Sequence, residues 1–185
     1  RKAQLLKDPK YYKLLLLTGG SWFIYDVAFY GVSLFGGVIV NAMKKEDDDN
    51  VSSDAAVRYA TSHQLYANLM GIPAGLLTIY LIKTYGTRRV QWIGFIFQAV
   101  MFFLMAGLFY PLKRVNDNVL FAIYCFLLFS LNSCPSMTTF CVPTEVYPYE
   151  IRSTYCGMSA ACGKLGAVVG SFMVGYYVFG YMYVA

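Results

Sequence analysis

Long uncharged apolar blocks, separated by short charged segments, organise the chain. Residues 59–82, 90–112, 118–144 and 165–185 contain no Asp, Glu, Lys or Arg, and roughly 20 apolar residues suffice to cross a bilayer as a helix. Two further segments, 14–42 and 154–180, read as spans interrupted by one charge each, Asp26 and Lys164. The second absorbs most of the last uncharged run. Runs of this length satisfy their own backbone as helices, whereas barrel strands are shorter and alternate in polarity. The pattern predicts an all-α membrane protein with five transmembrane helices, at about 14–42, 59–82, 90–112, 118–144 and 154–180.

Composition agrees. Of 185 residues, 58% are hydrophobic, 18% aromatic and only 14% charged, where soluble domains average about 45–50% apolar and about 25% charged. The aromatic and aliphatic load excludes disorder. A net charge of +5, scattered between apolar runs, gives no basic face for nucleic acid. The five cysteines are odd in number and lack CxxC spacing, so neither zinc nor a disulfide framework is indicated. No Ser/His/Asp set or phosphate-cradling glycine loop is present, so the chain is not expected to be an enzyme, and no cofactor is implied.

Charge also orients the spans. On alternate sides, Arg1, Lys2, Lys7, Lys10, Lys13, Lys83, Arg88, Arg89 and Arg152 face Lys44, Lys45, Arg58, Lys113 and Arg114. The positive-inside tendency puts the amino terminus in the cytoplasm and the acidic loop 44–58 outside. Asn50-Val51-Ser52 in that loop has the N-glycosylation spacing; a solvated polar loop is the simpler reading. The chain opens on Arg1 and closes in an apolar run, so it is expected to be an incomplete piece of a larger membrane protein.

Function shows in the charges within the spans. An ionisable residue at bilayer depth costs at least about 2.5–3.5 kcal/mol on insertion scales and faces a cavity or a partner. Trp22, Asp26 and Tyr30 recur every four residues and form one stripe on a helix. An indole, a carboxyl and a phenol can together hydrogen-bond a small polar solute; an interfacial aromatic belt with a structural Asp is the alternative. Lys164 lies among small residues, Ala160-Ala161-Cys162-Gly163-Lys164-Leu165-Gly166, in a setting suited to close helix approach. It needs an anion, either Asp26 or a bound solute. Asn132, Ser133, Ser136, Thr138 and Thr139 around Pro135 suggest a broken, polar-lined fourth helix. Gly71-Ile72-Pro73-Ala74-Gly75 reads as a helix contact or a hinge, and His63 as a structural residue.

These residues resemble a known family. Gly20-Ser21-Trp22-Phe23-Ile24-Tyr25-Asp26-Val27-Ala28-Phe29-Tyr30-Gly31 is similar to the seventh helix of the proton-coupled inorganic phosphate symporters of the major facilitator superfamily. The run Pro135-Ser136-Met137-Thr138-Thr139-Phe140-Cys141-Val142-Pro143-Thr144-Glu145-Val146-Tyr147-Pro148 resembles the tenth helix and its exit. Arg152-Ser153-Thr154, Gly157 and Ser159-Ala160-Ala161-Cys162-Gly163-Lys164 resemble the eleventh, and Tyr85-Gly86-Thr87-Arg88-Arg89 the basic loop between helices eight and nine. The resemblance implies an incomplete carboxy-terminal bundle, helices seven to eleven, whose partners are inorganic phosphate, a proton, the lipid bilayer and the missing amino-terminal half. It also implies phosphate contacts from Trp22, Asp26, Tyr30 and Lys164, proton coupling through Asp26, and a plasma-membrane address. Ser136 stands where the family usually has Asn, and Lys83 where it usually has an acid.

A mechanism follows as an expectation. Without substrate, Lys164 pairs with ionised Asp26, since neither charge is tolerable alone in the bilayer. Phosphate then competes for Lys164, and a proton on Asp26 removes its repulsion of the anion, linking the two uptakes. A symporter of a sugar or other small solute, a phosphate receptor that does not translocate, and a nonfunctional truncated product are the alternatives.

Overall fold

The computed structural model describes residues 8–43 and 53–184. Lys44 to Ser52, and with them most of the acidic loop and the Asn50 triplet, lie outside the described residues, as do Arg1, Lys2 and Lys7. Among the described residues, eight helices follow in order: α1 (Pro9–Ser33), α2 (Gly36–Met43), α3 (Ser53–Leu69), α4 (Gly71–Tyr85), α5 (Thr87–Val115), α6 (Asp117–Asn132), α7 (Pro135–Val146) and α8 (Tyr149–Val184). They make five stretches long and apolar enough to cross a membrane: Pro9–Ser33, Val57–Tyr85, Thr87–Lys113, Asn118–Val146 and Tyr149–Tyr177. Leu16, Phe103 and Phe172 are 77%, 79% and 75% exposed, as side chains facing acyl chains would be.

The span limits move for local reasons. α1 begins at Pro9, five residues before the expected start, because Asp8 accepts from the Lys10 N–H at 2.9 Å and proline suits the first helical turn. The first span is not continuous to residue 42. It turns at Leu34–Phe35 and resumes as α2, where Gly36-Gly37 lowers helix propensity. The second span breaks at Met70, since Pro73 lacks the N–H that would bond Leu69. Gly71 there lies against the Asn132 side chain, so the glycine–proline segment is both break and contact. The fourth span breaks at Ser133–Cys134, just before Pro135. Between α4 and α5, Gly86 has φ +82°, a backbone that favours glycine.

The chain forms two compact units. One comprises residues up to Leu34 and from Ser136 onward, with α1, α7 and α8; the other, Phe35–Pro135, holds α2 to α6. In the first unit, α1 and α8 pack along a glycine seam. Gly163 lies under the Trp22 indole, Gly166 against the Phe23 carbonyl and Gly170 against the Val27 carbonyl. Contacts advance together along both helices, so α1 and α8 are parallel. A first and a fifth span of an alternating chain must be.

At one end of the seam, Tyr11, Tyr147, Ile151 and Tyr155 form a buried cluster, with Tyr147 stacked on Tyr155 at 4.8 Å. Three buried hydroxyls join it to the seam. Tyr147 Oη lies 3.0 Å from Thr18 Oγ1, which lies 2.8 Å from Ser159 Oγ; Ser159 donates to the Tyr155 carbonyl at 2.9 Å. Burial pushes the Tyr147 phenol above its ordinary value, against the opposing hydrogen bonds to Thr18 and Ser159. It therefore stays protonated at neutral pH.

In the second unit, Tyr124 and Leu120 on α6 are fully buried. Gly94 on α5 sits so close to Cys134 and Pro135 that a Cβ would collide with both.

Candidate functional site

The fourfold spacing on α1 begins one turn before the expected stripe. Thr18, Trp22 and Asp26 are all buried, and Tyr30 is half-buried. Regular i, i+4 spacing keeps them on one face, and the glycine seam presses that face toward α8. Trp22 is 6% exposed. Its ring is held under Gly163 and edge-on to Phe140 of α7, with centroids 4.3 Å apart.

Asp26 is 3% exposed, and its Oδ2 is buried with no hydrogen-bond partner. An unsatisfied oxygen of this kind costs roughly 1–3 kcal/mol, more when charged. Lys164 on α8 is the cation whose charge reaches it. The hydrogen bond from Lys164 goes elsewhere, however. Nζ donates to Tyr30 Oη at 3.1 Å and lies 5.1 Å from the centre of that ring. The substrate-free pair expected from the sequence is thus replaced by a Lys164–Tyr30 bond, with Asp26 beside it. Lys164 is also exposed in this chain rather than enclosed by its small neighbours. The glycines beside it face α1, while the lysine itself projects from the seam.

Ser136, half-buried at the start of α7, hydrogen-bonds the side chain of Tyr25. Tyr25 is 5% exposed and next in sequence to Asp26, so the first unit brings all five expected site residues onto α1, α7 and α8. Sequence reasoning passed over Tyr25, whose position off the fourfold stripe gave no signal, and Thr18, which the same spacing could have found. It also passed over Gln98 on α5, whose buried Oε1 lacks a partner. Among the described residues no three of His, Cys, Asp and Glu lie together as a metal set.

Chemically the site offers a carboxyl with an unused oxygen, an ammonium held by a phenol, and an indole fixed by packing. Such groups recognise a small oxyanion: charge-assisted hydrogen bonds from ammonium to oxyanion are about twice as strong as neutral ones.

The family described as sugar (and other) transporter matches residues 57–182. The chain belongs to that family of helical membrane transporters, within the major facilitator superfamily. Its curated relatives there carry phosphate names. The chain is 37% identical over 174 residues to the inorganic phosphate transporter PHO84 of Saccharomyces cerevisiae, covering 90% of this chain and 28% of that protein. It is 36% identical to the inorganic phosphate transporter PT2 of Toxoplasma gondii, covering 91% and 28%. With inorganic phosphate transporter 1-1 of Arabidopsis thaliana it shares 35%, covering 85% and 31%. The chain spans less than a third of the length of these relatives.

Proposed function

We propose that this chain is the helix seven to eleven portion of a secondary transporter that takes up inorganic phosphate with protons by alternating access. The observation that carries the reading is the Asp26 carboxyl and the Lys164 ammonium on adjacent parallel helices, with Tyr30, one turn along from Asp26, accepting a hydrogen bond from the lysine. Phosphate supplies the strong acceptors that Lys164, Tyr30 and Trp22 can share. Asp26 is the coupling group. While ionised it repels the anion; once protonated it donates to it, so a bound proton and a bound phosphate each favour the other. The Lys164–Tyr30 bond is the resting state, and phosphate takes the place of the phenol as acceptor. The remainder of the protein supplies the other helices, and rocking about a midplane site exposes it alternately. The amino-terminal end of the chain faces the cytoplasm of a plasma-membrane protein, as the Lys/Arg bias argues.

The test uses the complete protein in liposomes. Lys164→Ala should weaken phosphate binding about tenfold to a hundredfold and abolish uptake at unchanged protein level. Asp26→Asn should flatten the pH dependence of phosphate affinity. Wild-type pH dependence in Asp26→Asn removes that residue from coupling. Phosphate binding without flux in wild-type vesicles would identify a receptor instead.

A further inference from the structure

Gly163, Gly166 and Gly170 of α8 are spaced i, i+3, i+7 and share the face turned to α1. What lies opposite them differs. At Gly166 and Gly170 an added Cβ would fall on the Phe23 and Val27 carbonyls of the α1 backbone, so these two glycines set the distance between the helices. At Gly163 the three nearest atoms are Cδ1, Nε1 and Cγ of Trp22, all in the pyrrole ring of the indole. The first two glycines make room for a backbone, and the third makes room for a functional side chain.

The indole has little freedom to step aside. Trp22 is 6% exposed, and Phe140 of α7 packs edge-on to it with ring centroids 4.3 Å apart. Its one hydrogen-bond donor is Nε1–H, and a tilt of the ring re-aims that donor. Hydrogen bonds weaken steeply away from their preferred angle. Nε1 rests against Gly163, and Lys164 is the next residue. The indole donor therefore lies beside the stretch of backbone that carries the ammonium. Asp26 follows one turn along the same face of α1, 3% exposed.

We propose that Gly163 is a positioning residue for phosphate: by carrying no side chain, it seats the Trp22 indole with its N–H turned toward the anion that Lys164 attracts. This rests on the transport reading above, in which Trp22 donates to phosphate. The seam glycines thus divide by task. Gly166 and Gly170 hold two helices together, whereas Gly163 acts on the ligand through Trp22.

Calorimetry of inorganic phosphate binding to the purified complete protein tests this as a double-mutant cycle. Gly163→Ala should weaken binding about tenfold, with a phosphate-free thermal melt showing a folded protein. Trp22→Phe, which deletes the N–H and shrinks the ring, should weaken binding by a similar factor. In the Trp22→Phe background, Gly163→Ala should change affinity by no more than about twofold, because the donor it displaces is gone. A purely steric role in the seam predicts a second loss multiplying the first, and that result overturns the proposal. So does a Gly163→Ala protein that binds like wild type. Should Gly163→Ala alone fail to fold, the double variant, whose smaller ring takes up the added Cβ, must fold and bind as Trp22→Phe does. A double variant that also fails to fold overturns the proposal. The transport reading is tested apart. If Trp22→Phe binds phosphate like wild type, Gly163 has no donor to position and this proposal falls, while Lys164→Ala still decides whether the site takes phosphate.

Discussion

Asp26 holds a buried oxygen that nothing among the described residues satisfies, which is a standing cost to the folded state. Replacing it with a group that needs less solvation should relieve part of that cost. Asp26→Leu is therefore expected to raise the phosphate-free stability of the complete protein by about 1–3 kcal/mol, read as a higher midpoint in a thermal melt, while abolishing uptake. A lower midpoint would mean that Asp26 has a stabilising partner after all. Tyr30 occupies the opposite position, because its hydroxyl oxygen accepts a hydrogen bond from Lys164 Nζ at 3.1 Å. Tyr30→Phe keeps the ring under the ammonium and removes only that acceptor and donor. Phosphate affinity should fall about tenfold by calorimetry, with the fold intact. As candidates, Trp22, Asp26, Tyr30 and Lys164 stood out in the one-dimensional pattern as charged or hydrogen-bonding groups in a greasy background, and Ser136 came from the polar cluster around Pro135. Tyr25 was not. A tyrosine among many apolar and aromatic neighbours carries no signal until α7 places Ser136 beside it.

For elements, the α1–α8 seam is the feature most sensitive to change. A Cβ on Gly166 or Gly170 would fall on a backbone carbonyl of α1, and a backbone cannot rotate away as a side chain can. Gly166→Ala should cost about 1–3 kcal/mol by overpacking. Gly20→Ala, where a Cβ meets nothing within 4 Å, should be neutral or slightly stabilising. Comparing the two melts tests the seam directly. The hydroxyl chain at its end makes a second prediction. The Tyr147 phenol is pushed above its ordinary value by burial, so the folded state holds that proton more tightly than the unfolded state does. Its contribution is complete below a pH of about 10, the ordinary tyrosine value, and is lost as pH rises beyond it. Tyr147→Phe should therefore be less stable at neutral pH yet show a shallower alkaline loss than wild type. Equal slopes in a pH series of melts would refute this.

Across the whole molecule, the Lys/Arg bias predicts sidedness. With the five native cysteines replaced, Asn116→Cys should react with a membrane-impermeant thiol reagent from outside intact cells. Arg89→Cys should react only after permeabilisation, and the reverse result would invert the proposed orientation. Five spans were readable because charges are rare in hydrocarbon and gather in the connections between apolar runs. The breaks at Leu34–Phe35 and Met70 were harder to read. Glycine and proline announce that a helix can yield, and only neighbouring contacts decide whether it does, as the Gly36–Gln64 and Gly71–Asn132 approaches illustrate.

Solvation energetics act on single residues in order along the chain. The sequence by itself therefore determined that this is a helical membrane protein with five stretches long and apolar enough to cross the bilayer, and it singled out a few charged and aromatic side chains as candidates for its chemistry. Distances between residues far apart in the chain are set by packing, which composition and periodicity do not encode. Only the tertiary structure decided that the Lys164 hydrogen bond goes to Tyr30 while Asp26 keeps an unsatisfied oxygen. It alone also revealed that the buried Tyr124 hydroxyl donates to Gln64, which in turn donates to Asn68.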